Sequence, residues 1–122
     1  MCKEGFGVGR AKSALLSQKQ MLERAVRFVK KAREKIDIVD VYVFGSRARG
    51  DYKDISDIDL VVVARGVDEL SVVERMEALC HVKEPNVEYI VVSEKEWNNP
   101  TLGLSRIKEE ARRLEELVTS LS

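Results

Sequence analysis

A single α/β domain is what the sequence predicts, and three observations carry it. Three short runs, residues 39–44 (VDVYVF), 58–64 (IDLVVVA) and 87–93 (VEYIVVS), are rich in β-branched and aromatic residues and meet Gly-Ser, Arg-Gly or Pro-Asn at one end, as strands do. Between and around them, apolar residues recur at three- and four-residue steps, the period of a helix with one buried stripe. The chain has 122 residues, 44% hydrophobic and 34% charged, which suits one packed core under a charged shell. No repeat, linker or low-complexity segment divides it.

In chain order, residues 1–12 (MCKEGFGVGRAK) hold three of the seven glycines. No strand precedes this Gly-x-Gly-x-Gly run, so it is read as a flexible tail and not as a phosphate loop. Residues 13–122 then form the domain. From Ser13, a candidate N-cap, to about Lys35, the residues Leu15, Leu22, Val26, Val29 and Ile36 mark a helical stripe, with Lys19, Glu23 and Arg27 on the solvated side. The first strand follows and stops at Gly45-Ser46, and the second ends at Arg65-Gly66. Residues 68–80 read as a helix: Ser71 and Glu74 have capping-box spacing, with Val73, Met76 and Cys80 as the apolar face. The third strand leads into a short helix over 94–98, ahead of Pro100. Leu104, Ile107, Ala111, Leu114, Val118 and Leu121 then step by three and four through one final helix, expected to pack on its own sheet.

Charge and rare residues narrow the function classes. The 21 basic and 21 acidic residues cancel, so nothing demands a polyanionic partner such as duplex DNA. Cys2 and Cys80 have no metal or disulfide spacing, and a lone His81 at a helix end favours a structural role over a Ser-His-Asp arrangement. With no membrane-length apolar run and no secretory leader, a cytoplasmic setting is expected.

The chemistry gathers in residues 42–63, YVFGSRARGDYKDISDIDLVVV. Two carboxylates at the mouth of a core strand are costly without compensation. Asp57 and Asp59, two apart on a strand, project from one face at roughly 6.6 Å along it, while Ile58 and Leu60 turn the other way, making a strand buried on one side. Glu88 interrupts the third apolar run and completes a trio if the second and third strands are neighbours. Three such acids repel one another unless a cation joins them. Oxygen donors suit magnesium, and paired ions recur in phosphoryl and nucleotidyl transfer. Gly45 and Ser46 offer close backbone approach and donors to phosphate, and Arg47 and Arg49 follow with guanidinium forks. Asp51 and Asp54 read as loop acids, and Trp97 as a core or rim residue more than a stacking platform.

GSRARGDYKDISDID, a Gly-Ser followed after ten residues by Asp-x-Asp, resembles the signature of the DNA polymerase β-type nucleotidyltransferase superfamily in its minimal (MNT) branch. The resemblance implies a small mixed β-sheet packed against helices, and ATP bound with two magnesium ions. It implies that Asp57 and Asp59 ligate both ions and that Glu88, where many relatives carry Asp, ligates the catalytic ion and helps deprotonate the attacking hydroxyl. Gly45 and Ser46 would hold the triphosphate. Minimal members are frequently paired with an all-helical HEPN ribonuclease as toxin and antitoxin, which implies AMP transfer to a tyrosine of a HEPN partner supplied in trans. Two other readings stand beside it: a slow or non-catalytic module that neutralises a helical partner by occlusion, and a small-molecule (aminoglycoside-like) adenylyltransferase whose acceptor pocket a homodimer would build.

Overall fold

The computed structural model describes residues 7–52 and 57–120, with side chains from residue 17 onward. The order is α1 (Gly7–Ala32), β1 (Asp37–Phe44), α2 (Ser46–Arg49), β2 (Ile58–Arg65), α3 (Val72–Leu79) with a 3-10 turn at Cys80–Val82, β3 (Val87–Ser93), α4 (Glu94–Asn98), α5 (Leu102–Glu110), β4 (Arg112–Arg113) and α6 (Leu114–Ser120). The three predicted runs form strands, and the sheet is mixed. Its order is β3-β2-β1-β4, with β1 antiparallel to β2 and β4 and β2 parallel to β3. A parallel pair needs a crossover, and α3 supplies it. No described helix is long and apolar enough to cross a membrane.

Both faces of this sheet are covered, which corrects the expectation that the second strand is buried on one side. Ile58, Leu60, Val62 and Ala64 join the larger core with Leu22, Phe28 and other residues of α1, and with Leu79 and Leu117. On the opposite face Val61 and Val63 pack with Val92 and Trp97, under Leu104 and Ile107 of α5. Trp97 is therefore a core residue, its ring 4.9 Å from that of Tyr42. Along β2, Asp59 is half-buried while every residue from Leu60 to Ala64 is buried. The acid sits where the apolar floor begins.

Three elements depart from expectation. α1 begins at Gly7, ahead of Ser13, so residues 7–12 are helical. Each glycine weakens a helix by only about 1 kcal/mol, and a long helix absorbs that. Residues 1–6, the rest of the expected tail, and Asp54 lie outside the described residues.

The second departure is α3, which starts at Val72. Ser71 caps it as anticipated, accepting the Glu74 amide at 3.1 Å while Glu74 accepts the Ser71 amide at 2.8 Å. Its buried side is Arg75 and Leu79, whereas Val72 and Val73 are 75% and 66% exposed. Arg75 was invisible to a hydrophobic pattern. It faces inward because its guanidinium donates to the carbonyls of Val67, Leu70 and Val91 and to Glu96.

The third is the final helix, which is two helices. Ala111 leaves the helical conformation, and Arg112 and Arg113 pair with Val43 and Tyr42 of β1. The three-four stepping of apolar residues continues across this break because each half serves a different layer. Leu104, Ile107 and Ala111 lie against one face of the sheet, Leu114 and Leu117 against the other. The chain passes around the sheet edge at β4.

Candidate nucleotide and metal site

Local pairing brings the acids together at one end of the sheet. In the parallel β2–β3 ladder Asp59 stands opposite Glu88, and cross-strand partners share a face. Asp57 lies just ahead of β2, in a segment pinned by the turn before β3. Asn86, at φ 66, accepts the Ile58 amide on its carbonyl at 2.9 Å and donates its side-chain amide to Asp57 Oδ1 at 2.9 Å. Arg24 of α1 donates to Asn86 Oδ1 at 2.8 Å, fixing that side chain in turn.

The electrostatics follow from this packing. Burial first, then the charges of Asp57, Glu88 and Glu110, raise the Asp59 pKa above its ordinary value. Burial and like charge thus both disfavour the Asp59 carboxylate, and a hard cation is chemically suited to these carboxylates. As placed, the acids are held by neighbours: Lys83 Nζ is 2.8 Å from Glu88 Oε2, and Asn86 holds Asp57. Among the described residues no three or more His, Cys, Asp or Glu side chains converge as a metal-binding group. The donor chemistry fits a divalent ion, with Glu88 turned toward Lys83.

The Gly-Ser turn lies against this acidic end. Gly45 has φ 76, a conformation that favours glycine, and a Cβ on it would stand 2.8 Å from Asp59 Oδ2. Glycine is thus required for the backbone angle, and a Cβ there would also make the Asp59 carboxylate shift. Ser46 begins α2 directly after it. The Gly45 amide donates to Glu110 Oε2 at 2.5 Å, and Arg49 Nη1 donates to both Glu110 oxygens at 3.2 Å. Arg49 also donates to Asp51, and these two acids raise its pKa, Asp51 foremost.

The two arginines part company. Residues two apart on a helix do not share a side, and Arg47 turns into the protein, 1% exposed. It donates to Gln18 Oε1 at 3.1 Å and to Ser17 Oγ at 3.0 Å, and its guanidinium carbon lies 4.4 Å from the Tyr52 ring centroid. The structure thus brings Asp57, Asp59, Glu88, Gly45, Ser46 and Arg49 to one end of the sheet and sends Arg47 to the α1 interface.

Glu110, Asn86 and Lys83 also belong to this neighbourhood, and local pattern gave no sign of the first. Glu110 is 65 residues from Gly45 and lies in a run of charged residues that reads as a solvated face. Asn86 carried a weak signal as part of Pro-Asn before a strand.

Comparison with known proteins gives the family. The family model described as "Nucleotidyltransferase domain" matches residues 22–116. A crystal structure of a Sulfolobus solfataricus protein assigned as a nucleotidyltransferase is similar at 39% identity and a TM-score of 0.73, over 88% of this chain and 90% of that one. A structure of a toxin-antitoxin with AMP-PNP is 19% identical with a TM-score of 0.48, over 82% of each chain, a likeness that bears on no functional assignment. Among curated proteins none matches. With the matched stretch running from α1 through the Gly-Ser turn and the acidic strands to α6, the chain belongs to the nucleotidyltransferase domain family.

Proposed function

We propose that this protein is a divalent-metal-dependent nucleotidyltransferase that moves AMP from ATP to a hydroxyl, namely a tyrosine of a HEPN partner, as an antitoxin of a HEPN/MNT pair. The observation that supports it most is the close approach of Gly45 to Asp59, with Glu88 opposite Asp59 in the ladder. A phosphate-holding turn and an acidic strand mouth thereby share one space. The resemblance to minimal family members is what suggests an acceptor supplied in trans.

In this reading Asp57 and Asp59 would hold two magnesium ions, and Glu88 would join them on release from Lys83. Metal held there would supply charge neutralisation at the phosphates and polarisation of the reacting phosphoryl group. Gly45, Ser46 and Arg49 bind the triphosphate and set the α-phosphorus in line with the acceptor. The acceptor oxygen forms a bond to the α-phosphorus as the bond from that phosphorus to the pyrophosphate oxygen breaks. Pyrophosphate departs, and the hydroxyl proton passes to the carboxylate of Glu88.

Incubation with ATP, magnesium and the HEPN protein should add the mass of one or more AMP groups to that partner. Asp57→Asn with Asp59→Asn should abolish the addition while leaving the complex intact. An unmodified partner, with folded protein and metal present, would sink the proposal. The Lys83–Glu88 ion pair favours a second reading, neutralisation by occlusion. Under that reading the double variant still inhibits the partner.

A further inference from the structure

Glu110 closes α5, and its carboxylate sits on the donors of the Gly45 turn. It accepts the Gly45 amide at 2.5 Å and Arg49 Nη1 with both oxygens at 3.2 Å. A carboxylate and a phosphate offer the same thing to such donors, anionic oxygens that accept charge-assisted hydrogen bonds. Glu110 is nevertheless an awkward neighbour, because its charge adds to those of Asp57 and Glu88 around Asp59. An acid placed there for structure alone would do better further from three others.

Its tether to the sheet is short. The residues that follow it join the sheet through two register pairs, Tyr42 with Arg113 and Val43 with Arg112, and both arginines are exposed. Beside these pairs the end of α5 is held by Ala111 on the smaller core and by the Arg113–Asp40 ion pair, contacts that a shift of Glu110 would strain, whereas the turn it contacts is anchored to α1 through Arg47.

We propose that Glu110 is a built-in occupant of the phosphate-binding donors, an autoinhibitory contact that the tail of an incoming nucleoside triphosphate must displace. This rests on the nucleotidyltransferase reading of the site. Nucleotide binding then exchanges Glu110 for phosphate oxygens at Gly45 and Arg49, removes one negative charge from beside Asp59, and loosens the junction of α5 and β4. Access to the site is thereby linked to the edge of the sheet.

The test is calorimetric titration of the full chain with ATP and magnesium. Glu110→Ala should tighten binding about tenfold or more, from the competing charge-assisted bonds removed. Glu110→Gln, which keeps the size and loses the charge, should tighten it less, and it serves if the alanine variant does not fold. In the wild type, amide hydrogen exchange at residues 111–113 should quicken on adding ATP and magnesium while Gly45 remains protected. Wild-type binding with unchanged or weaker affinity in both variants overturns the proposal and makes Glu110 a support for the turn. No binding by wild type or variants is a different result: it removes the nucleotidyltransferase reading, and this inference with it.

Discussion

The backbone of Gly45 approaches the Asp59 carboxylate so closely that a Cβ at position 45 would stand 2.8 Å from Oδ2. Gly66 has nearly the same backbone angle, φ 77 against φ 76, with nothing within 4 Å of its own virtual Cβ. Gly66 thus carries a positive φ without the collision. Gly66→Ala should lose about 1–2 kcal/mol of stability, the penalty of a positive-φ L-residue, and Gly45→Ala about 1–3 kcal/mol, because its ψ of −155 places it in a region essentially reserved for glycine. Only Gly45→Ala should also push the Asp59 carboxylate aside and reduce the proposed AMP transfer, by about a hundredfold on the scale of a 1 Å misplacement. Denaturant melts and transfer assays on both variants check this, and equal activity in the two would refute it.

Asp59 and Glu88 are like charges opposite one another across the β2–β3 ladder, an arrangement that destabilises by roughly 0.2–1 kcal/mol. Asp59→Asn should therefore raise Tm at neutral pH by about 1–4 °C, even as it removes activity. The pH dependence has a definite sign. Because the folded protein raises the Asp59 pKa, the folded state binds the proton more tightly than the unfolded chain does. Stability from this group falls as pH rises from its ordinary value of 3.8 through the folded value. Asp59→Asn should flatten that part of the profile. Magnesium should stabilise the wild type and have little effect on the variant, as read by thermal melts with and without the ion.

The strands were legible because their signals are local, and the acids of the candidate site stood out for the same reason, although among the described residues they do not converge as a metal-binding group. Glu88 broke an otherwise apolar run, and Asp57 and Asp59 stood two apart beside a Gly-Ser turn; the ladder register then placed Glu88 opposite Asp59. What escaped was whatever depended on distant partners. Arg75 looks like a surface residue until the carbonyls of Val67, Leu70 and Val91 are seen around it. The last helix misled for a subtler reason: its stepping is unbroken through Ala111, yet residues before and after it pack on opposite faces of the sheet. Periodicity reports that residues are buried, and says nothing about which layer buries them.

Arg75 and Glu96 join the crossover helix to α4 through two contacts, at 2.6 and 3.2 Å. The Arg75 hydrogen bond holds the Glu96 pKa below its ordinary value. The stabilisation is therefore present above pH 4.5 and is lost as pH falls through the depressed folded value. Glu96→Gln should remove that acid-side loss, with a modest effect at neutral pH since the carboxylate is 44% exposed. Arg75→Met is the severe change, leaving three backbone carbonyls without their buried donor at a cost of about 2–4 kcal/mol. Urea unfolding at pH 7 and across pH 3–5 distinguishes the two variants.

Arg47 and Arg49 lie two residues apart and should fail in opposite ways. Arg47 is buried against Ser17, Gln18 and Tyr52, so Arg47→Ala empties a large volume at the α1 interface and takes donors from Ser17 and Gln18. A loss of about 2–4 kcal/mol is expected, with the ATP affinity of the molecules that remain folded little changed. Arg49 is half exposed, and its ion pairs with Asp51 and Glu110 are of the solvent-screened kind. Arg49→Ala should change stability by no more than about 0.5 kcal/mol and, under the proposed function, weaken ATP binding through loss of a phosphate donor. Stability by urea unfolding and affinity by calorimetry, measured on both variants, resolve the matter. If Arg47→Ala leaves stability intact and abolishes ATP binding, then its guanidinium leaves the α1 interface to reach the nucleotide, and the inward placement is not its working position.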